Sequence, residues 1–201
     1  GVLNMDNHGG AAAMVRHLLQ AGHADVALIA GPAGNFDARQ REQGYRAAMA
    51  KYAPDAALNI VAGDFTEESG HRAGRALLAG KTRPRAVFAA NDMMAVGCLS
   101  AFREAGVRVP QDIALAGFDD IPIARYVTPA LSTVRVRIAD FGRLALDMLA
   151  DRLEHPEQES SSADTLGFEI VVRETCGANT STCPPKRTSK SSQRAARGGE
   201  R

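Results

Sequence analysis

Short apolar runs alternate with segments of helical periodicity over residues 8–118, and this alternation is the strongest constraint on what the chain can fold into. The runs have the length of buried strands, and the segments between them repeat apolar residues every three or four positions. The predicted strands cover residues 26–31, 58–62, 86–90 and 112–118, and the predicted helices cover residues 8–21, a segment around Tyr45, a segment beginning after Thr66, and residues 93–105. Strands separated by helices favour a parallel sheet, so the sequence predicts an α/β fold with a mostly parallel sheet flanked by helices.

The pattern changes after Asp120. Pro122 and Pro129 bracket an irregular segment. Three further elements are predicted beyond it, namely a strand over residues 131–136, an amphipathic helix over 137–154 and a strand over 166–172. Residues 177–201 have no periodicity and few apolar side chains, so we expect them to form a disordered tail.

Charge and composition narrow the function classes. Hydrophobic residues make up 45% of the chain and charged residues 23%, as in a globular protein, and no apolar run has the length of a membrane-spanning helix. The predicted tail holds six Lys or Arg and one Glu, so its charge of +5 leaves −4 for the rest of a chain whose net charge is +1. An acidic body disfavours nucleic-acid binding by the folded part. Three cysteines without metal or redox spacing favour a reducing compartment.

Polar side chains follow several predicted strands at the point where each strand ends. Because the carboxyl ends of parallel strands meet at one edge of a sheet, we expect these side chains to lie close together. They are Asn35, Asp37, Arg39 and Arg41 after the first strand, Asn91 and Asp92 after the third, and Asp119 and Asp120 after the fourth, with the aromatic Phe65 after the second. For each residue taken alone a local role is the alternative, with Asn91 or Asp92 as a helix cap and Asp119 as the start of a turn.

The chemistry of these side chains points to a site for a polyhydroxylated small molecule. Asn offers a donor and an acceptor, Asp accepts from paired hydroxyl groups, and Arg donates from a planar fork. An aromatic face can cover the apolar side of a sugar ring.

Catalytic patterns are weaker than this binding pattern. Gly80-Lys81-Thr82 lacks the glycine spacing of a phosphate-binding loop, the five His are scattered, and Cys98 falls on an apolar helical stripe where packing is expected. The sequence therefore predicts no metal, no cofactor and no enzymatic activity. Mg²⁺ held by Asp92, Asp119 and Asp120 is a disfavoured alternative, because no Lys or Ser accompanies them.

Several motifs, taken in order and spacing, resemble the effector-binding domain of lactose-repressor-type (LacI/GalR) bacterial transcription regulators over about residues 2–176. The motifs are DNHGGAAAMVRHLLQAGHADVALIAGP, ARQREQGYRAAM, GDFTEESG, VFAANDMMAVGCLSAFREAGVRVPQDIALAGFDD and TPALSTV. The resemblance implies two α/β subdomains around a cleft, joined by three chain crossovers, a fold shared with periplasmic sugar-binding proteins.

The resemblance also implies a division of the chain into subdomains. Residues 1–136 and 164–176 would form a nearly complete C-terminal effector-binding subdomain, 137–163 a remnant of the N-terminal subdomain with an exposed apolar helix face, and 177–201 the basic tail. The chain begins without Met, so we expect a fragment from which the helix-turn-helix DNA-binding domain is absent.

Individual residues match the family's functional positions. Arg41 matches the effector-binding arginine of an R-x-x-G-[FY] motif, and Phe65 matches an aromatic position that can stack on the effector. Asn91 matches the polar contact of A-N-D, and Asp119 the first acid of G-F-D-D. Asn35 and Asp37 lie in a loop that often adds contacts, whereas Asp92 either binds the ligand, caps the helix or bonds the loop. The expected dimer contacts are Met93, Val96, Leu99 and Ser100, with the segment 121–126.

The resemblance implies a cytoplasmic, dimeric regulator whose expected effector is a sugar or related small molecule. It would meet operator DNA only through the missing domain and would have no membrane partner. The alternative is a periplasmic sugar-binding protein of a transport system, which shares the fold.

Overall fold

The α/β alternation is confirmed. The computed structural model describes residues 2–136 and 163–178, together with positions 142, 146, 149 and 150. The helices are α1 (Asn7–Gln20), α2 (Phe36–Tyr52), α3 (Glu67–Ala79) and α4 (Asp92–Glu104), with short 3-10 helices at Pro122–Arg125 and Glu174–Cys176. The strands are β1 (Val2–Met5), β2 (Val26–Ala30), β3 (Asn59–Ala62), β4 (Ala86–Ala89), β5 (Ala114–Asp119), β6 (Ser132–Val136), β7 (Ala163–Leu166) and β8 (Phe168–Val171).

Six of these strands form one twisted sheet in the order β3-β2-β4-β5-β6-β8. All neighbours in it are parallel except β6 and β8, which are antiparallel. The chain runs from β2 outward to β3 and then crosses back to β4 on the other side of β2. The order therefore reverses between β2 and β4, and crevices at such reversals are where open α/β sheets bind ligands.

Both faces of the sheet are covered, because alternate residues of each strand enter two separate cores. Leu28 and Phe88 pack with α1 and α2 on one face, whereas Ile29 and Val87 pack with α3 and α4 on the other. Cys98 is fully buried in the second core, which raises the pKa of its thiol and confirms its interpretation as a packing residue. No helix in the described part of the chain is both long and apolar enough to cross a membrane.

Each helix begins with a side chain that accepts a hydrogen bond from a backbone N–H of its own first turn. These caps satisfy donors that would otherwise be unpaired, and they define where each helix starts. The bonds run from Gly9 N to Asp6 (2.7 Å), Ala38 N to Asn35 (2.9 Å), Ser69 N to Thr66 (3.1 Å) and Met94 N to Asn91 (2.9 Å). The predicted cap at Thr66 is confirmed, and between Asn91 and Asp92 the cap is Asn91.

One predicted strand divides into two. Instead of a single strand over residues 166–172, β7 pairs with β1 in a separate two-stranded sheet and β8 pairs with β6 in the main sheet, with Gly167 between them. The division depends on partners distant in sequence, with Met5 of β1 opposite Leu166 and Val136 of β6 opposite Phe168, so local apolar content could not reveal it. β1 was not predicted at all, for the same reason.

The predicted helix over 137–154 lies almost wholly outside the described residues, as does the tail beyond position 178. Leu146 and Leu149, which are described, are exposed. The division into subdomains remains a prediction.

Glycines allow α3 and α4 to touch along their backbones. A methyl group at Gly97 of α4 would overlap the carbonyl oxygen of Glu67 and lie 2.8 Å from the backbone nitrogen of His71, both on α3. A methyl group at Gly70 would in turn meet the backbone of Met94. The close approach places the start of α4, and hence Asn91, beside the loop that precedes α3.

We expect Gly97→Ala to lower the free energy of unfolding by about 1–3 kcal/mol, because backbone atoms cannot move aside as a side chain can. A loss of stability would be informative, because Ala in place of Gly normally stabilises a helix interior by about 1 kcal/mol. Urea denaturation measures the change. Gly34→Ala, where nothing lies within 4 Å of the added methyl group, is the control. Equal stability of Gly97→Ala and the original chain would contradict the close helix contact.

Candidate functional site

Several of the polar side chains predicted from the strand ends, including Arg41 and Asp119, meet near the reversal between β2 and β4. The caps Asn35 and Asn91 place the N-termini of α2 and α4 there, and β5 ends at Asp119 beside them. Helix N-termini present backbone N–H groups and a partial positive charge, so this edge suits a polar ligand.

Arg41 lies at the centre of the polar cluster at this edge. It lies on α2 and is almost completely buried, yet its guanidinium group has three hydrogen-bonding partners on other elements. Nε donates to Oδ1 of Asn7 at 2.9 Å, Nη1 donates to the carbonyl oxygen of Ala90 at 2.6 Å, and Nη2 lies 3.0 Å from Oδ1 of Asp119. A buried charge is tolerated only when it is paired and hydrogen-bonded in this way.

The ring of Phe118 packs against the guanidinium group of Arg41. The guanidinium carbon of Arg41 lies 3.8 Å from the centre of the Phe118 ring, which is within cation–π range. A contact of this kind contributes about 2 kcal/mol when water is excluded. The three bonds to Asn7, Ala90 and Asp119 fix the plane of the guanidinium group. Arg41 therefore presents its remaining N–H groups in one orientation.

Asp119 faces Arg41 from the end of β5. Its side chain is 31% exposed, so it is the part of the ion pair that solvent or a ligand can reach. Partial burial raises the pKa of this carboxyl group, and the neighbouring Arg41 offsets that rise only in part. The backbone of Asp119 has φ of 107°, a conformation that costs a residue other than glycine about 1–3 kcal/mol and that is found most often at functional sites.

Asn7 links Arg41 to Asp37. While its Oδ1 accepts from Arg41, its Nδ2 donates to Oδ1 of Asp37 at 3.0 Å. The predicted site residue Asp37 thus joins the cluster through an intermediary, and Asn35, which is exposed, caps α2 at the rim.

The sequence interpretation missed both Asn7 and Phe118. Asn7 was placed just outside the predicted helix 8–21, although it heads the buried stripe that continues through Gly10, Ala11 and Met14. A polar residue at the first position of an apolar helical stripe was the available signal. Phe118 carried no signal, because an aromatic residue inside an apolar strand is indistinguishable from core.

Phe65 forms an aromatic wall beside the ion pair. Its ring centre lies 5.9 Å from the guanidinium carbon of Arg41, and its backbone has φ of 71°. A methyl group at Gly31 would collide with the ring, so the absence of a side chain there is what allows the ring to occupy this place. Phe36, the first residue of α2, adds a second exposed aromatic group that the sequence interpretation did not include.

Asn91 is largely committed to structure. Its Oδ1 caps α4 by accepting from Met94 N, and its Nδ2 donates to the carbonyl oxygen of Phe65 at 3.0 Å. It therefore holds Phe65 in place, and it retains one N–H for a further partner. Its proposed role as a direct ligand contact remains a prediction.

Asp92 does not reach the cleft. Its side chain is fully buried, Oδ1 accepts from the hydroxyl group of Thr133 at 2.6 Å, and Oδ2 accepts from the backbone N–H of Ile121 at 2.9 Å. Placing it among the ligand-binding residues is therefore corrected in favour of the alternative that it bonds the loop. Desolvation by burial raises the pKa of its carboxyl group to about 7, and the hydrogen bonds from Thr133 and Ile121 counter this only in part.

The four residues expected at a dimer contact do not share one environment. Met93 is 38% exposed and Val96 and Ser100 are half-buried, but Leu99 packs in the core between the sheet and α4. Leu99 is thus corrected to a core residue, because its position on α4 faces inward. In the segment 121–126, Tyr126 is 77% exposed and Ile123 is also exposed.

Among the described residues, no three His, Cys, Asp or Glu side chains are grouped so that they could hold a metal ion. The described part of the chain offers carboxylate, amide and guanidinium groups with aromatic faces. These groups can bind hydroxyl groups by hydrogen bonds and a ring by stacking.

Comparison with known proteins identifies relatives of this arrangement. Residues 15–176 match the family described as periplasmic binding protein-like domain. The chain is 44% identical over 146 residues to the ribose operon repressor of Escherichia coli strain K12, a match that covers 70% of the chain and 43% of the repressor. It is 41% identical over 150 residues to the HTH-type transcriptional repressor PurR of Escherichia fergusonii, covering 74% of the chain and 44% of PurR.

A solved structure supports the same relationship. The LacI family transcriptional regulator from Enterococcus faecium with bound ribose superimposes with a TM-score of 0.77 at 27% identity, covering 86% of this chain and 64% of that one. The chain spans less than half the length of the curated relatives it matches.

The buried carboxyl group of Asp92 should make stability depend on pH. Because its folded pKa of about 7 lies above the ordinary value of 3.8, the folded state binds the proton more tightly than the unfolded state. Its contribution to stability is therefore fully present below about pH 4 and is lost as the pH rises towards 7, with a span on the order of 4 kcal/mol.

The test compares the original chain with Asp92→Asn by urea denaturation from pH 4.5 to 8. We expect the stability advantage of the original chain over the variant to shrink as the pH rises, since Asn never ionises. Asp55→Asn, at an exposed site, controls for the loss of one surface charge. If the difference in stability between Asp92→Asn and the original chain stays constant with pH, burial does not shift the pKa of Asp92.

Proposed function

Because the chain belongs to the periplasmic binding protein-like family, in the group of LacI-type transcription regulators, we propose that it is the effector-sensing and dimerising portion of such a regulator. Its effector is a sugar or sugar derivative that binds at the Arg41–Asp119 edge. The resulting change controls operator binding by a helix-turn-helix domain elsewhere in the complete protein.

The pairing of a fixed guanidinium group with a reachable carboxylate carries this proposal. Arg41 has five N–H groups, of which Asn7, Ala90 and Asp119 engage three, so two remain for a ligand. The Asp119 carboxylate has about four acceptor sites, and the contact with Arg41 occupies one of its oxygens. Adjacent hydroxyl groups of a sugar need this combination of donors and acceptors.

Charge and aromatic character favour a neutral ring as the ligand. The positive charge of Arg41 is balanced by Asp119 at 3.0 Å, so this edge does not specially attract a phosphorylated compound. Phe65 provides an apolar face close to the ion pair. Sugars combine hydroxyl edges with an apolar face, and ribose occupies the Enterococcus faecium regulator that shares this fold.

Relatives favour a regulator over the alternative, a periplasmic sugar receptor of a transport system. Both curated relatives are named as repressors. A regulator of this kind works in the cytoplasm and is not an enzyme. Effector binding would favour one conformation of the cleft, with a coupling to the DNA site on the order of 1–3 kcal/mol.

A homodimer would use the exposed apolar residues beside α4. Met93 follows Asp92, and the Asp92 carboxylate holds Ile121 at the start of the segment that carries Ile123 and Tyr126. The three exposed side chains Met93, Ile123 and Tyr126 therefore belong to neighbouring segments. Large aromatic and Met side chains are enriched at the centres of such interfaces.

The binding proposal predicts that Arg41→Lys weakens sugar binding roughly 10- to 100-fold, which corresponds to about 1.4–2.8 kcal/mol. Lys keeps the charge but loses the planar fork that reaches Asn7, Ala90 and Asp119 together. Calorimetry on the protein expressed from its complete coding region, with ribose and a panel of other pentoses, hexoses and disaccharides, measures the change. Operator DNA retention in the presence of the sugar that binds is the second readout.

The control is Arg46→Lys, an exposed arginine on the same helix that pairs with Glu42. It should leave sugar affinity unchanged. Binding that Arg41→Lys leaves intact would remove Arg41 from the site, and binding of sugar without any effect on DNA would favour the receptor alternative.

The dimer proposal predicts that Tyr126→Lys shifts the protein towards monomer in sedimentation velocity, since it places a charge in an apolar contact. Leu58→Lys, an exposed apolar residue before β3, is the matched control and should not change the sedimentation. If both variants sediment like the original protein, the dimer contact lies on another surface.

A further inference from the structure

Two consecutive aspartates at the end of β5 adopt left-handed backbone conformations. Asp119 has φ of 107° and Asp120 has φ of 54°, in a region that residues other than glycine rarely occupy. Their side chains also point to different environments, since that of Asp119 is 31% exposed and that of Asp120 is 1% exposed. A strained pair of this kind persists only when its surroundings hold it in place.

The Asp120 carboxylate is clamped by arginines from two other strands or strand ends. Nε of Arg135, on β6, donates to Oδ2 at 2.6 Å, and Nη2 of Arg173, which follows β8, donates to Oδ1 at 2.5 Å. Arg125 adds a longer contact to Oδ2 at 3.7 Å. Burial by itself would raise the pKa of Asp120, but the hydrogen bonds from Arg173 and Arg135 outweigh it, so that the pKa lies below its usual value.

Arg173 is itself immobilised. Its backbone N–H donates to Oγ of Ser132 at 2.9 Å, and its Nη1 donates to the carbonyl oxygen of Leu131 at 2.7 Å. The start of β6 thus holds Arg173 in place, so that Arg173 binds Asp120 from a fixed position. Charge-assisted bonds of this length are the strongest class of hydrogen bond in proteins.

The peptide groups after each aspartate are held from the opposite side. The backbone N–H of Asp120 points to Oγ1 of Thr133 at 3.4 Å, and the backbone N–H of Ile121 donates to the buried Asp92 carboxylate. With the side chain of Asp120 and the following N–H both fixed, the backbone of Asp119 cannot relax to an ordinary strand conformation. The carboxylate of Asp119 then stays paired with the guanidinium group of Arg41.

We propose that Asp120 is the positioning residue of the site: through Arg135 and Arg173 it holds the left-handed turn that directs Asp119 onto Arg41. This proposal rests on the proposed function of the cleft, in which the Asp119 carboxylate receives the ligand. Asp120 itself does not touch the ligand. A merely structural role, in which Asp120 only neutralises the charges of Arg135 and Arg173, would leave the Asp119–Arg41 pair as it is.

The test uses Asp120→Asn in the 201-residue chain, labelled with ¹⁵N. Asn tolerates the left-handed conformation and has the same shape, but it replaces one acceptor oxygen with a donor facing an arginine. The readout is the side-chain Nη2–H resonance of Arg41, since Nη2 is the atom that faces Asp119, and a reference variant, Asp119→Asn, gives its position without the carboxylate partner. We expect Asp120→Asn to move this resonance most of the way to the reference position.

Glu169→Gln is the matched control. Glu169 accepts from Nη1 of the same Arg135 at 3.0 Å, but it lies exposed on β8 and away from the turn. It should leave the Arg41 resonance unmoved. A folded Asp120→Asn chain with an unmoved Arg41 resonance, or a Glu169→Gln chain that moves it equally, would overturn the proposal.

Arg135→Gln decides the question if Asp120→Asn does not fold. It removes one donor of the clamp and leaves the buried carboxylate with Arg173, so the Arg41 resonance should move in the same direction by a smaller amount. No movement would overturn the proposal. Because no ligand is used, failure of every sugar to bind would count against the proposed function without altering this result.

Discussion

The buried guanidinium group of Arg41 is the interaction on which the rest of the site depends. It joins α2 to Asn7 at the start of α1, to Ala90 after β4 and to Asp119 at the end of β5. Each partner belongs to a different βα unit, so the charge can be satisfied only when those units are correctly packed. The same requirement leaves two N–H groups in a fixed plane above Phe118.

Around this group, some side chains keep an exposed or half-buried face, whereas others have their polar atoms engaged within the protein. Asp119 and Phe65 belong to the first class. Asn91, Asp92 and Asp120 belong mainly to the second, since their polar atoms are engaged by the cap, the loop and the clamp. Left-handed backbone occurs at Phe65, Asp119 and Asp120, which indicates that strain is concentrated around the Arg41–Asp119 ion pair.

Much of this could be predicted from the sequence, because the relevant signals are local. Strand and helix periodicity located the sheet, polar residues after strand ends indicated Arg41 and Asp119, and an aromatic residue after a strand indicated Phe65. What escaped prediction depends on contacts distant in sequence. The inward orientation of Leu99 and the split between β7 and β8 follow from packing and from pairing partners that no local pattern encodes.

The clamp on Asp120 also determines when the site can form during synthesis. The strands β2 to β5 emerge from the ribosome in order and can pair with one another as they appear, but Arg173 lies about 50 residues after Asp120, beyond the last strand. A nascent chain that ends before Arg173 would contain all six strands of the main sheet, but it would lack Arg173, which binds the Asp120 carboxylate, and Cys176, which belongs to the core beside α1 and α2. The contact between Asp120 and Arg173 can therefore form only after residue 173 has been synthesised, later than every strand of the main sheet.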